Sequence, residues 1–219
     1  MERLRSKKSV MKIIKTNAIY FLISVVGLLL TFALSACAPN MGNGSMIIAP
    51  IRMPFSLLGD AGRLFKSTGV DAVRVTRFSD ERPLDGIGEI DDRILVAATD
   101  VGDAARGAFV EAVKSRRVLV KQDMNIPTLG GEVERWFVKI EPGFPTTSCI
   151  AMAKIKVEVF DKSGVIVYQG HYEGGYSETR LVPRKQDVED VLQRAMANAV
   201  QSAVDDSELW RVVEAVDSV

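Results

Sequence analysis

Few residues in this sequence are suited to making or breaking bonds. His171 is the single histidine, and Cys37 and Cys149 are the two cysteines. Any Ser–His–Asp or Cys–His arrangement must therefore use His171 as its base. Along an alternating stretch it shares a side with Val167, Gln169 and Glu173, so an exposed strand residue without a catalytic task is expected. The carboxylates Asp80, Glu81, Asp85, Glu89, Asp91 and Asp92 crowd one short stretch. They lack the alternating-oxygen spacing of a calcium loop, and Arg82 and Arg93 offset part of their charge, which predicts a solvated loop. Gly170, Gly174 and Gly175 do not lead from a strand into a helix, as a phosphate-cradling loop would. No HExxH, CxxC or EF-hand spacing occurs, so no catalytic, metal or cofactor-binding residue is assigned.

Cys37 carries chemistry of another kind. It closes a segment with a basic region up to Lys15, an apolar run from Ala18 to Leu34, and then Leu34-Ser35-Ala36-Cys37. A positive start, an apolar centre and small residues before a cut make a secretory signal. Met11 is a second candidate start, since Met11 to Lys15 already supplies a basic region. The four closing residues resemble the lipobox of bacterial lipoproteins. That resemblance implies cleavage between Ala36 and Cys37, a diacylglycerol thioether on Cys37 and acylation of the new amino group. Anchoring by two or more chains is stable, at about 0.8 kcal/mol per buried CH₂. The alternative is an uncleaved transmembrane anchor, for which the apolar run is near the lower length limit. Ala38, where an Asp would favour the inner membrane, implies the outer membrane by the same resemblance. Cys149 is then left without an intrachain partner and is expected to be buried; a Cys37–Cys149 disulfide requires the lipobox reading to fail.

The formal charge of the whole chain is zero, yet 22 basic against 27 acidic residues remain from Cys37 onward, a net of −5. Nucleic-acid binding needs clustered Lys and Arg to release counterions, so that class is disfavoured. The reading divides the chain into a signal peptide (1–36), a lipidated Cys with a turn-rich tether (37–50) and one periplasmic domain (51–219).

Within the domain, Pro50 and Pro54 break the first stretch, and Phe55 to Lys66 reads as a short helix. Asp71 to Phe78 alternates as a half-buried strand, and Ser79 to Asp92 reads as a polar loop. Asp100 is positioned to cap a helix running to about Arg116, with Val101, Ala105, Ala108, Phe109, Ala112 and Val113 as its apolar stripe. Short strands are expected at Val118–Lys121 and Val133–Ile140. Trp136 and Phe137 must face opposite sides, one in the core and the other either marking an exposed binding patch or, the favoured reading, covered by the Met46–Lys66 segment. The clearest element is a hairpin, with Ala153, Ile155, Val157 and Val159 alternating with Lys154, Lys156 and Glu158. Its turn is Asp161-Lys162-Ser163-Gly164, and it returns with Ile166, Tyr168 and Tyr172 on one face. A helix from about Asp187, its expected N-cap, to Val204 carries Val188, Val191, Leu192, Ala195, Met196, Ala199, Val200 and Ala203 on one face. A last short helix holds Leu209, Trp210 and Val213. The expected fold is α+β: an antiparallel-rich sheet of about four to five strands with two main helices packed on one face.

At Val73–Arg82, Ala112–Arg116, Lys154–Gly164 and Ala197–Asp206 the chain resembles the YajG-type family of bacterial lipoproteins. The likeness covers roughly Val70 to Glu214, with Leu84–Ala97 and Pro142–Pro145 as departures. It implies a periplasmic domain tethered to the outer membrane, without catalytic residues to carry over. The expectation is a non-enzymatic lipoprotein that binds another envelope component, protein or glycan, through a sheet face or edge. One alternative is an auxiliary lipoprotein of a lipid or polysaccharide export machine. Another is a periplasmic hydrolase acting on cell-wall glycan, for which carboxylate-only chemistry would have to serve.

Overall fold

The computed structural model describes residues 45–46, 69–83, 86–90, 93–97 and 99–218. The chain divides into two compact units, Met1–Asn40 and Met41–Val219, and all described residues belong to the second. Its strands are β1 (Ser45–Met46), β2 (Ala72–Asp80), β3 (Gly86–Ile90), β4 (Arg93–Ala97), β5 (Leu119–Val120), β6 (Thr128–Glu141), β7 (Thr147–Phe160) and β8 (Ile166–Arg180). The helices are α1 (Val101–Ser115), α2 (Lys185–Asp205) and α3 (Ser207–Asp217).

The sheet is forked at β6. On one side β6 pairs along its whole length with antiparallel β7, which pairs with antiparallel β8. On the other side its first half pairs with parallel β2 and its second half with parallel β3. β5 continues outward from β2 in parallel, while β4 and then β1 continue from β3. The expected four- to five-stranded, antiparallel-rich sheet with two helices is thus corrected. Eight strands form a mixed sheet, two of them only two residues long, and three helices lie among the described residues. The parallel pairs of β2 with β5 and β6, and of β3 with β6, follow from the crossover of the chain through α1. The stretch read as a polar loop holds β3, which closes with β4 into a hairpin. Gly86 and Gly88 give β3 no apolar alternation by which to recognise it.

One hydrophobic cluster joins the inward faces of the strands to the helices. β7 contributes Cys149, Ala151, Ala153, Ile155, Val157 and Val159 without a break in parity. On β6 the parity changes: Leu129 and Val133 point inward, then Trp136 and Val138. The shift comes from a β-bulge at Glu134, where the register against β7 slips by one residue. A one-residue slip turns every following side chain to the other face, so the bulge brings Trp136 into the core. The Trp136 indole N–H then donates to Leu192 O on α2 at 2.9 Å.

The predicted stripes of α1 and α2 are buried throughout, with Ala197 and Val204 added on α2. Asp100 caps α1 by accepting from Asp103 N at 2.9 Å. The cap of α2 differs from expectation. Its N-cap is Arg184, and Asp187 sits inside the first turn, accepting from Arg184 N at 2.7 Å. Asp187 thus stabilises the helix start from the reverse direction, as the acidic member of a capping box does. Gly164 closes the β7–β8 turn at φ +83°, a conformation that costs glycine least. Asp161 organises the same turn, its Oδ1 accepting from Ser163 N and Val165 N, each at 2.9 Å.

Candidate functional site

Ala36 and Cys37, the expected cleavage and lipidation site, lie outside the described residues, as do the Phe55–Lys66 helix, the proposed cover over Phe137, and Asp85, Asp91 and Asp92 of the acidic stretch. Cys149 is buried on β7 opposite Ile140. Burial, with the charges of Asp187 and Glu178 after it, pushes its thiol above the ordinary range. It behaves as a packed apolar side chain. Asp80 does not face an open loop: it accepts from Arg82 Nε at 2.7 Å and from Arg82 Nη2 at 2.8 Å. Arg82 also donates to Gly86 O at 3.2 Å, tying the end of β2 to the start of β3 at the fork. Among the described residues no group of His, Cys, Asp and Glu could hold a metal ion.

His171 is exposed on the charged face of the sheet, as expected, but it has a partner that the sequence did not reveal. Its Nδ1 lies 3.1 Å from Glu134 Oε1, and Lys154 Nζ lies 3.2 Å from the other oxygen. The bulge at Glu134 brings this carboxylate into the row. Burial pushes the Glu134 carboxyl up, but Lys154 and His171 outweigh it and hold the group below its usual range. Beside it Lys156 bridges Glu132 at 2.5 Å and Glu158 at 3.1 Å. This is a laced strand face, with opposite charges set across neighbouring strands. With half of the His171 side chain open to solvent, His171→Ala is expected to change unfolding free energy by less than about 0.5 kcal/mol. A loss of several times that in chemical denaturation would mean that the row is a structural centre.

A surface better suited to binding lies at the opposite edge. β8 pairs only with β7, so its outer edge is not extended by another strand among the described residues. Near the far end, Asn198 of α2 donates to Gly175 O at 2.9 Å and covers part of that edge. Near the hairpin turn, Val165, Ile166 and Val167 are exposed. A second bulge falls here, because Tyr168 opposes Val159 and Ile166 opposes Phe160, which leaves Val167 unpaired. The sequence placed Val167 beside His171. The bulge instead brings it to a groove of about 500 Å³ shared with Val212, Ala215 and Val216 of α3, with Lys162 and Arg211 also lining it.

The position of α3 is fixed by a polar lock beneath the groove. Tyr168 and Tyr172 donate to the same Asp206 oxygen at 2.8 and 2.7 Å, and their own hydroxyls are 3.0 Å apart. Asp206 joins the two helices: its N–H donates to Ala203 O as α2 ends, and its Oδ1 accepts from Glu208 N as α3 begins. Burial pushes Asp206 up, but the bonds from Tyr172, Tyr168 and the backbone outweigh it and leave the carboxyl below its ordinary range. A group depressed on folding contributes stability above its unfolded pKa, near 3.9, and that contribution disappears as pH falls through the folded value. Asp206→Asn is therefore expected to be less stable than wild type at neutral pH. The gap should narrow as acid titration passes below about pH 4; a constant gap would refute the lock.

No family model and no curated protein matches the chain. Solved structures resemble it in part. A Xanthomonas campestris protein of the family DUF330 gives a TM-score of 0.47 at 12% identity, covering 68% of this chain and 87% of its own. A minor lipoprotein of Acinetobacter baumannii gives 0.41 at 9% identity, covering 66% and 93%. Both likenesses are partial and single out no family.

Proposed function

We propose that this protein is a non-enzymatic envelope lipoprotein of the YajG type, lipidated on Cys37 and held on the periplasmic side of the outer membrane. There it binds another envelope protein at the first third of β8. The observation that carries the reading is the exposed Val165-Ile166-Val167 edge beside the α3 groove. An incoming extended segment would hydrogen-bond along β8 and place an apolar side chain between Val167 and Val212, which is the strand-addition mode of recognition. The groove sets Val167, Val212, Ala215 and Val216 among the polar Asp161, Lys162, Ser163 and Arg211 and offers no aromatic face on which a sugar ring would stack, which favours a protein over a glycan. The hydrogen-bonded lock under the groove supports pre-organisation, which reduces the ordering cost of binding.

The test places a photo-crosslinking residue at Val167 in the full-length protein in intact cells, with a second at Asp190 on the exposed side of α2 as control. A discrete protein adduct from position 167 alone is expected, and Val212→Glu should reduce it by at least tenfold. Equal adducts from both positions would remove the edge from consideration. In parallel, Cys37→Ser should abolish incorporation of a fatty-acid analogue and leave precursor in the inner membrane; equal labelling of mutant and wild type would end the anchoring assignment.

A further inference from the structure

The end of the sheet farthest from the groove carries an unusual apolar tip. Glu141 pairs with Ser148 and Thr147 with Arg180, so the β6–β7 turn and the segment between β8 and α2 emerge side by side. On these two connections Phe144 is 98% exposed, Leu181 70% and Val182 46%. Arg184 and Lys185 follow Pro183 and are exposed as well, and the Arg184 guanidinium has no ion-pair partner among the described residues. Acids stand in the same rim, with Glu141 beside Lys139, Glu178 and Asp187 beside Arg180, and Glu189 beside Lys185, so Arg184 is the cation left over. Exposed apolar side chains with such a cation at the ends of connections suit the boundary between acyl chains and headgroups, where a long basic side chain reaches back to phosphate.

The topology says which surface this tip meets. β1 runs parallel to β4, β4 antiparallel to β3, and β3 parallel to β6, so β1 runs antiparallel to β6. The first residue of β1 is therefore the one nearer the Pro142–Pro145 end, and the registers through Val96 and Gly86 set it about level with Trp136. That is some five strand residues, roughly 17 Å, short of Glu141. Eight residues lead from Cys37 to Ser45, a reach of at most about 28 Å. We infer that Phe144, Leu181 and Val182 seat in the surface of the same bilayer that holds the lipid on Cys37. With this second contact the domain stands with its apolar tip on the membrane and its β8 groove away from it. The inference rests on the anchoring reading given above.

The experiment uses the full-length, lipidated protein in vesicles of phosphatidylethanolamine and phosphatidylglycerol, made with and without brominated acyl chains. Phe144→Trp reports from the tip, and Val165→Trp reports from the groove end, each read against the unsubstituted protein with its buried Trp136 and Trp210. The expected result is that the protein floats with the vesicles and that brominated lipid removes most of the emission added at position 144. The emission added at position 165 should be unchanged. Floating without quenching at 144 overturns the tip contact and leaves the anchor intact. Equal quenching at both positions also overturns it, since the domain would then lie flat. A protein that fails to float overturns both readings together.

Discussion

Gly174→Val is expected to unfold the domain or to lower its denaturation midpoint more than any other single change on β8. A Cβ at Gly174 would sit 2.2 Å from Ala199 N and 2.3 Å from Ala195 O, both in the backbone of α2. Backbone cannot rotate aside as a side chain can, so the helix would have to move off the sheet. Ala153, the partner of Gly174 on β7, is equally small, and together with Ala195 and Ala199 it lets α2 come this close. Displacing α2 would stretch the indole bond from Trp136 to Leu192 O. Overpacking alone typically costs about 1–3 kcal/mol, and with a displaced helix added the loss would take up much of a domain's usual 5–15 kcal/mol. The neighbouring residue supplies the control. A Cβ at Gly175 would meet only Ala151 O, at 3.7 Å, so Gly175→Val should be tolerated. Equal losses in urea denaturation from the two variants would show that the helix is not seated as described.

Met196→Asp is the second change expected to be severe. Met196 is wholly buried on the inner stripe of α2. A carboxylate there must either ionise in apolar surroundings or take up a proton, and either way several kcal/mol are lost. The same carboxylate introduced by Gln186→Asp falls on an exposed position in the first turn of the same helix. There the helix dipole favours it, and the change should stay within about 0.5 kcal/mol. Thermal melts of the two proteins at neutral pH would separate these outcomes clearly, and comparable losses would mean that the buried face of α2 has been misassigned.

Both predictions draw on elements that the sequence displays openly. The stripe of α2, the even alternation of β7, the Asp161–Gly164 turn and the Asp100 cap are local patterns, each contained within a few turns or one strand. What escaped were features set by residues far apart in the chain. The parallel pairing of β2 with β6 leaves no local mark, because β6 begins 48 residues after β2 ends. Strands β3 and β4 were hidden by glycines and by charges between them. The bulges at Glu134 and Val167 reverse the parity on which alternation arguments depend. That is why the Glu134 partner of His171 and the turning of Val167 toward α3 were both unforeseen. The groove itself needs α3 and β8 together, held by Asp206, a residue that reads alone as a simple helix break.

The β6–β7–β8 ladder also has a mechanical consequence. The Phe144 end of the ladder and the groove lie at opposite ends of β7, roughly 45 Å apart along fourteen residues of strand. For a partner held in that groove and an N-terminus anchored as proposed, a pull between the two runs along the strands rather than across them. Tension in that direction loads the ladder in shear, so many hydrogen-bonded pairs resist together instead of parting one after another. Among the described residues two pairs, Ser45 with Val96 and Met46 with Ala97, join β1 to β4 and lie on the same path. The first element to yield under tension would be this short clip near the tether, which would slacken the connection to the anchor while the sheet and its groove kept their shape.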